Sequence, residues 1–170
     1  PEGPIYPGTC RTLSAQHRDT RLQRGDQHAW RLDVVKAFAS VGSTLEFQEL
    51  GSGPNGETGT IAARVDAFGD FVLARKDAPA SYHLAVVVDD ALQGITMVTR
   101  GNDLFAATSL HRLLQELLGL PAPAYSHHRL ICDATGKRLA KRDQATTLRT
   151  LRAGGWTPAR IRKAVGLTSR

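Results

Sequence analysis

The sequence has little of what marks several large classes of protein. Only two cysteines occur among its 170 residues, which excludes a disulfide framework and indicates a reducing compartment. No apolar run approaches the roughly 18 residues that a membrane span needs. The first residues, Pro1 to Pro4, include no methionine, basic region or apolar stretch of a signal peptide,. We therefore expect a cytoplasmic chain without a membrane span, whose N-terminus is a cut end, a processed end or an ordered start after a gap.

Positive charge is what the sequence has in excess. Lysine and arginine total 22 against 16 aspartate and glutamate residues, which gives a net charge of +6. A basic surface attracts polyanions such as nucleic acids or nucleotides, but the same charge also keeps a protein soluble. Charge alone therefore leaves polyanion binding and simple solubility open.

The first half of the chain carries short strand patterns. Alternating or β-branched stretches predict three strands, over residues 28–35, 60–65 and 70–75. Glycine, proline and asparagine between residues 51 and 59 predict a loop. We therefore expect a β-rich region over residues 28–75, preceded by a polar segment at 1–27 that lacks long periodicity.

The next part of the chain alternates helical and strand patterns. The pattern predicts a helix, a strand, a helix and a strand, over residues 82–92, 94–99, 108–118 and 128–133. The second helix has leucines at i, i+3, i+4, i+7 and i+8 from Leu110, with Thr108 as the expected N-cap and Gly119 at its end. Cys132 falls in the last strand and is predicted to be a core residue. This order is typical of an α/β layer with parallel strands.

Two short helices are predicted at the C-terminus. The last one is expected to have Thr157 as its N-cap, Pro158 at its first position and Gly166 beyond its end. Three cationic side chains lie along it, Arg160, Arg162 and Lys163.

Arg100 is the first candidate for ligand binding. It follows the strand at 94–99, and open α/β sheets bind ligands beyond the carboxyl ends of their strands. A guanidinium at that position suits bidentate capture of a carboxylate. A structural ion pair with Asp90 or Asp103 is the alternative.

The loop over residues 136–142 is the second candidate. It contains four cations, Lys137, Arg138, Lys141 and Arg142. Like charges held together repel, so an anionic partner such as a triphosphate would relieve the repulsion. Such groups also neutralise charge that develops on a leaving pyrophosphate. An exposed basic turn is the alternative.

Tyr6 and Cys10 form a third candidate pair, four positions apart. A phenolate and a thiolate could supply half of a zinc site, but four ligands are normal for this metal. His17 and His28 have no useful spacing to complete it.

Several segments, taken in order, resemble the glutamyl-tRNA synthetase family of class I. They are residues 69–77, 81–91, 94–104 and the basic loop. In that loop Arg138-Leu139-Ala140-Lys141-Arg142 stands where the family has KLSKR, its form of the KMSKS motif. The resemblance runs from about residue 5 to residue 142.

Three features favour one branch of that family, the branch that glutamylates the queuosine base of tRNA(Asp). Asp103-Leu104 stands where the glutamate–tRNA ligases have an acidic residue followed by histidine. The stretch at 74–77 is similar to the branch's version, and the chain ends 28 residues after Arg142. A fragment of a glutamate–tRNA ligase is the alternative.

The resemblance implies a fold for each part of the chain. Residues 76–145 would form the second half of a Rossmann-like catalytic domain. They would follow the remnant of a zinc-binding module at 1–27 and a β-rich connective insertion at 28–75. A helical tail would cover residues 146–170.

The resemblance also implies an activity and its residues. The enzyme would use ATP with Mg²⁺ to activate glutamate as glutamyl-adenylate, and would then transfer it to the queuosine base of tRNA(Asp), as a monomer. Tyr82 and Arg100 would bind glutamate. Lys141 would be the catalytic lysine on the ATP phosphates, with Arg138 beside it and the backbone near Leu139 against adenine. Tyr6 and Cys10 would be the last two of four Zn²⁺ ligands.

The sequence departs from the family pattern at several positions. Arg138 replaces a lysine and Ala140 a serine of the motif, while Met97 stands where histidine is usual. Ser109 and His111 replace the usual proline and glutamine. None of these changes removes a residue expected to be essential.

The family's first half-domain, with its HIGH-type motif, has no counterpart in these residues. The chain by itself is therefore expected to be inactive, as part of a larger enzyme. A function from another class is a non-catalytic RNA-binding module that uses Arg160, Arg162 and Lys163.

Overall fold

The described part of the chain forms two compact units. The structure, a computed structural model, describes residues 5–42, 44–65, 68–133, 135–136, 138–139 and 147–167. The two units are Pro1–His128 and Arg129–Arg170. No helix among the described residues is long and apolar enough to cross a membrane.

The first unit contains both helices and strands, which alternate except for three consecutive strands in its middle. Its elements are α1 Ala15–Gln23, β1 Ala29–Leu32, α2 Val34–Val41, β2 Glu46–Glu49, β3 Gly59–Ala62, β4 Phe71–Arg75, α3 Tyr82–Leu92, β5 Met97–Gly101, α4 Ala107–Leu118 and β6 Ala124–His128. The second unit contains α5 Leu148–Ala153 and α6 Pro158–Ala164. The predicted α/β class is therefore confirmed.

The main sheet has four strands in the order β3-β2-β6-β5. Strands β5 and β6 are parallel and pair from Met97↔Ala124 to Gly101↔His128. Strand β2 is also parallel to β6, at Glu49↔Tyr125, and β3 is antiparallel to β2. The carboxyl ends of β2, β5 and β6 therefore lie at one edge of the sheet. Strands β1 and β4 form a separate antiparallel pair.

Helix α4 packs its leucine stripe against the core. Leu110, Leu113 and Leu114 are all buried, because residues three and four apart lie on the same face of a helix. Leu113 belongs to a cluster of buried side chains that also contains Val34, Ala37, Leu45 and Val65. Gly119 ends the helix in the left-handed conformation, with φ of 62°. The predicted helix and its end are confirmed.

The predicted strand at 128–133 is wrong. The last strand is β6, Ala124–His128, and it pairs with β5 over its whole length. Beyond it, the only strand pairing among the described residues is an isolated bridge between Cys132 and Arg138, and Cys132 is exposed. The apolar run at 130–131 resembles a strand, but the segment that pairs with β5 is Ala124–His128.

Several expectations for the first half are also corrected. The strand predicted at 28–35 ends at Leu32, because the Asp33 side chain accepts a hydrogen bond from the N–H of Lys36 and starts α2,. Helices α1 and α2 and strand β2 were not predicted. Strand β2 joins the main sheet, so residues 28–75 contribute to two sheets. The domain boundaries drawn from the sequence stay a prediction.

The residues predicted to start and stop the last helix are confirmed in the second unit. The Thr157 side chain accepts a hydrogen bond from the N–H of Arg160, 3.2 Å away, and Pro158 begins α6. Gly166 follows the helix with φ of 74°. The Arg160 guanidinium lies over the Trp156 ring, 4.0 Å from its centroid,.

Candidate functional site

Polar side chains gather where the three parallel strands end. Glu49 is the last residue of β2, and Arg100 and His127 are directly paired on β5 and β6. Ligands of open α/β sheets bind beyond this edge. The fold therefore brings together three charged or titratable residues at the position where a ligand site is expected.

The Arg100 guanidinium is held from three sides. Its Nε–H donates to His127 Nε2 at 3.0 Å, and an Nη1–H donates to His111 Nδ1 at 3.0 Å. An Nη2–H donates to Thr108 Oγ1 at 2.6 Å. Thr108 was predicted to cap α4, which is wrong, because α4 begins one residue earlier without a side-chain cap. The Thr108 hydroxyl binds Arg100 instead.

Neutral acceptors surround Arg100. Within the described ranges its hydrogen bonds go to two imidazoles and to the hydroxyls of Thr108 and Tyr82, and not to Asp90 or Asp103. The carboxylate of Asp90 acts on the guanidinium only through longer-range attraction. The structural ion pair that the sequence leaves open is therefore not formed there.

The direction of these hydrogen bonds fixes the tautomers of two histidines. Because a guanidinium can only donate, His127 Nε2 and His111 Nδ1 must both lack a proton. The remaining proton of His127 is on Nδ1, which donates to Glu49 Oε2 at 2.5 Å. The remaining proton of His111 is on Nε2, which donates to His83 Nδ1 at 3.0 Å. One directed set of hydrogen bonds thus connects Glu49 to His83 through Arg100.

Glu49 is a buried carboxylate with three donors around it. Its side chain accepts from the backbone N–H groups of His127 and Gly51, each at 2.8 Å, as well as from the His127 ring. Burial raises the pKa of Glu49, but these hydrogen bonds outweigh burial and hold the pKa below its usual value,. Glu49 is therefore charged at neutral pH.

The histidines around Arg100 stay neutral. Burial, and then the Arg100 charge, lower the pKa of His111 to about 3. The same two causes lower the pKa of His83. Burial also lowers the pKa of His127 and outweighs the opposing effect of Glu49. Because each ring is neutral, each can accept or donate as the tautomers require.

Tyr82 lies beside this cluster at the first position of α3. Its ring packs edge-on against His83 and His111, with centroids 5.3 and 6.1 Å away. Its hydroxyl interacts with the Arg100 guanidinium. The side chain is about half exposed. The structure therefore brings together Tyr82 and Arg100, the two residues expected to bind glutamate, although their role stays a prediction.

Arg100 keeps a donor for a further partner. A guanidinium has five N–H donors; three of those on Arg100 are used by His127, His111 and Thr108, and the Tyr82 hydroxyl is a fourth hydrogen-bond partner,. Burial lowers the pKa of Arg100, yet an arginine remains protonated at any physiological pH. A fixed cation with a remaining donor, beside a tyrosine hydroxyl that can also donate, can bind a carboxylate.

The basic loop is described only in part. Leu139 donates its backbone N–H to the carbonyl of Ile131 at 3.0 Å, and Arg138 forms the bridge to Cys132. Gly136 turns the chain with φ of 82°. Lys141, with Lys137, Ala140 and Arg142, lies outside the described residues. The predicted ATP-binding roles of Arg138, Leu139 and Lys141 remain predictions.

Tyr6 and Cys10 are adjacent in space. The Tyr6 hydroxyl accepts a hydrogen bond from the backbone N–H of Cys10 at 2.7 Å, and the Arg31 guanidinium covers the Tyr6 ring. The described residues contain no group of three or more histidine, cysteine, aspartate or glutamate side chains able to hold a metal ion. Zinc binding by Tyr6 and Cys10, as half of a four-ligand site, therefore stays a prediction.

Sequence reasoning missed most of the residues around Arg100. Glu49, His83 and His127 were not identified, and His111 was noted only as a departure from the family pattern. The histidine content of the sequence was the one available signal, since three of the six histidines in the chain meet at this site. Nothing in their spacing along the chain shows that they meet.

The chain is similar to proteins of one family. The family described as "tRNA synthetases class I (E and Q), catalytic domain" matches residues 6–169. The chain is 48% identical to a glutamyl-Q tRNA(Asp) synthetase from Rhodobacter capsulatus, over 98% of the chain and 58% of that protein. It is 42% identical to the protein of that name from Symbiobacterium thermophilum, over 94% of the chain and 46% of that protein.

More distant relatives carry a different name. Glutamate–tRNA ligase 2 of Nitrosococcus oceani is 36% identical over 92% of the chain and 31% of that protein. A solved glutamate–tRNA synthetase from Elizabethkingia anophelis superposes with a TM-score of 0.60 and 26% identity, over 82% of the chain and 27% of that protein. The chain spans about half the length of the curated relatives to which it is most similar among those compared.

Proposed function

The chain belongs to the catalytic-domain family of the class I tRNA synthetases for glutamate and glutamine, and on that premise we propose that its full-length gene product activates glutamate. A carboxylate oxygen of glutamate attacks the α-phosphorus of ATP, and the bond from that phosphorus to the pyrophosphate oxygen breaks. The products are glutamyl-adenylate and pyrophosphate. The observation that carries the proposal is the Arg100 site, a fixed cation with a remaining donor beside the Tyr82 hydroxyl.

The charge of Arg100 suits the carboxylate that does not react. The reacting carboxylate loses its charge when it is joined to the phosphorus, whereas the other carboxylate of glutamate keeps its charge throughout. A half-buried cation favours a partner whose charge persists. We therefore assign the side-chain carboxylate of glutamate to Arg100 and Tyr82, which would also select glutamate over the uncharged glutamine.

The basic loop would serve the phosphates of ATP. Lys141 and Arg138 are the two cations assigned to this role, with the backbone near Leu139 against adenine. They would offset negative charge that develops on pyrophosphate as it leaves. Mg²⁺, bound with ATP, would add to that offset.

Replacement of Lys141 by alanine is expected to slow glutamate-dependent exchange of pyrophosphate into ATP by about 10- to 30-fold, since one charge-assisted hydrogen bond contributes roughly 1.5–2 kcal/mol. The measurement is the initial rate of exchange by the full-length gene product. Lys36→Ala is the matched control, because Lys36 is a highly exposed lysine on α2. A rate for Lys141→Ala equal to that control would contradict the role of the loop.

Transfer to the queuosine base of tRNA(Asp) is the second part of the proposal. It is supported by the names of the most similar relatives reported above and by the Asp103-Leu104 and 74–77 features. The test is incorporation of labelled glutamate into tRNA(Asp) that carries queuosine, with the same tRNA lacking queuosine as the control. Incorporation into tRNA(Glu) alone would instead favour the glutamate–tRNA ligase alternative.

The helices α5 and α6 offer a surface for the tRNA backbone. Residues 147–167 contain five arginine or lysine residues and no aspartate or glutamate. A cavity of about 390 Å³ lies between the two helices, and Arg152 and Arg162 are among its lining residues. Clustered cations of this kind neutralise phosphates and release counterions.

Charge reversal of Arg152 and Arg162 to glutamate is expected to weaken tRNA binding about tenfold or more. The salt dependence should also become shallower, by about 2 in the slope of log affinity against log salt. The measurement is a binding titration at several salt concentrations, with Arg24→Glu as a control on the exposed end of α1. Unchanged affinity and slope would remove α5 and α6 from the interface. Binding of tRNA without any ATP-dependent activity would favour the non-catalytic RNA-binding alternative.

A further inference from the structure

The hydrogen bonds from Arg100 to His127 and from His127 to Glu49 run in one direction across three strands. We propose that His127, held by Glu49, is a positioning residue that fixes the Arg100 guanidinium for a substrate carboxylate. This inference rests on the proposed function of the Arg100 site and adds to it the device that keeps the guanidinium in place. It concerns residues on β2 and β6 that do not themselves touch the substrate.

Arg100 needs such a device because its side chain is long and flexible. Four rotatable bonds separate the guanidinium from the backbone, and ordering them on binding would cost affinity. His127 accepts a hydrogen bond from the Nε–H, which is the donor nearest the backbone. Thr108 and His111 each accept one hydrogen bond from the two terminal nitrogens. The guanidinium is thereby oriented before any ligand arrives.

Glu49 determines which nitrogen of His127 faces Arg100. A carboxylate can only accept hydrogen bonds, so the contact to Glu49 Oε2 places the ring proton on Nδ1 and leaves Nε2 as an acceptor,. Were the proton on Nε2, two donors would face each other across 3.0 Å. Glu49 and His127 are both almost fully buried, with 1% and 3% exposure, so water is not at hand to replace either partner.

The backbone after Glu49 packs closely against the side chain of Glu49 and the backbone of His127. The carboxylate is anchored by the N–H groups of His127 and Gly51. A Cβ atom at Gly51 would collide with the backbone carbonyl of His127 and would lie 2.9 Å from Glu49 Oε1. Glycine at 51 therefore lets the loop after β2 approach His127 closely enough to hold Glu49 in place.

Two neighbouring hydroxyls make it possible to distinguish an effect on the position of Arg100 from a general effect on packing. Thr108 and Ser109 are adjacent on α4 and both are buried. The Thr108 hydroxyl binds Arg100, whereas the Ser109 hydroxyl accepts from the backbone N–H of Arg64 at 3.0 Å. Loss of the Thr108 hydroxyl removes its contacts to Arg100 and to His127 Nε2, 3.4 Å away, whereas loss of the Ser109 hydroxyl removes one hydrogen bond to the backbone. Only the first loss affects the guanidinium.

Glu49→Gln is the decisive variant because it preserves shape and reverses one hydrogen bond. The amide oxygen can still accept from the two backbone N–H groups, which turns the amide nitrogen toward His127. A donor at that point moves the ring proton of His127 to Nε2 and removes the acceptor for Arg100. Nitrogen-15 NMR of the histidine ring should show this change of tautomer in the full-length gene product.

The kinetic expectation follows from the same change. In pyrophosphate exchange, Glu49→Gln and Thr108→Val should each raise the KM for glutamate by about tenfold or more, because binding to a mobile guanidinium is weaker. The KM for ATP should not change, and kcat should stay within about threefold. Ser109→Ala should match wild type. Wild-type KM for glutamate in Glu49→Gln, or a proton on Nε2 of His127 in the wild-type protein, would overturn the inference.

Failure of the proposed function would be seen separately. If the wild-type protein shows no glutamate-dependent exchange, the proposed function fails, and hydrogen exchange of the Arg100 Nε–H then decides the positioning. Slow exchange in wild type that becomes fast in Glu49→Gln supports a fixed guanidinium. Equal rates in the two proteins overturn it.

Discussion

Replacement of Arg100 by lysine is expected to lower kcat/KM for glutamate activation by about 100-fold, mainly through KM. Lysine keeps the charge but carries its three donors on a single nitrogen, so it cannot reach His127, His111 and a substrate carboxylate together. At least one buried acceptor would lose its partner, and the hydrogen bond from the guanidinium to the substrate carboxylate would be lost or weakened. Two such losses of about 1.5 kcal/mol each correspond to about 100-fold in affinity.

The matched control for this prediction lies on the same helix as Thr108. Arg112 donates to the carbonyl of Glu46 at 3.0 Å and to Glu116 at 2.6 Å, and its side chain is largely covered. Arg112→Lys loses a comparable set of hydrogen bonds away from the site and should keep kcat/KM within about threefold. If Arg100→Lys retains the wild-type KM for glutamate, Arg100 is a structural residue and the assigned carboxylate site is wrong.

Acidification is expected to destabilise the protein well above the pH at which carboxylates titrate, through the buried histidines. The pKa of His111 is about 3 in the folded protein, against about 6.5 in an unfolded chain. Below pH 6.5 the unfolded state takes up a proton that the folded state does not, so stability is complete above that pH and is lost as the pH falls toward 3. His111 alone should cost about 2 kcal/mol at pH 5 and about 4 kcal/mol at pH 3.

His111→Gln tests this acid sensitivity. A glutamine at 111 can accept from Arg100 and donate toward His83 while carrying no titratable group. The free energy of unfolding, measured with denaturant at pH 7, 6 and 5, should fall less steeply in the variant, by about 2 kcal/mol between pH 7 and 5. His17→Gln is the control, because His17 is exposed on α1. Equal slopes for His111→Gln and wild type would show that His111 is not held neutral by the fold.

The remaining histidines of the site act in the same direction. The pKa values of His83 and His127 are also lowered by burial, so each adds to the loss of stability below pH 6.5. Glu49 contributes at lower pH, because its lowered pKa gives stability that disappears only when the carboxylate is protonated,. Stability measured at pH 5 and above therefore reports the protonation of the histidines rather than that of Glu49.

The order of elements in the second half of the chain could be read from periodicity. The leucine stripe of α4, the helix that begins at Tyr82 and the capped helix that begins at Pro158 all follow local rules, since the spacing of apolar residues and the chemistry of caps act within a few residues. Arg100 could also be identified, because its position depends only on its own strand, although that strand is Met97–Gly101 rather than 94–99 and Arg100 is its penultimate residue. The ordered motifs were enough to identify the family.

Two of the errors arose where a partner distant in sequence decides the structure. The run at 129–132 is as apolar as a strand, yet β6 lies before it because Ala124–His128 is the segment that pairs with β5. Strand β2 was missed because its place in the sheet depends on β6, which follows it by more than 70 residues. Patterns within a short window do not report such pairings.

The sequence by itself determined the family, the α/β order of the second half, and the presence of a guanidinium at a strand end. Only the tertiary structure decided what that guanidinium contacts. Glu49 and His127 are 78 residues apart and meet because β2 and β6 are neighbours in the sheet. The tautomer of His127 is then set by which groups face its two nitrogens, and those groups come from different strands. Spacing along a chain does not contain this information, because it arises from side chains that folding alone brings into contact.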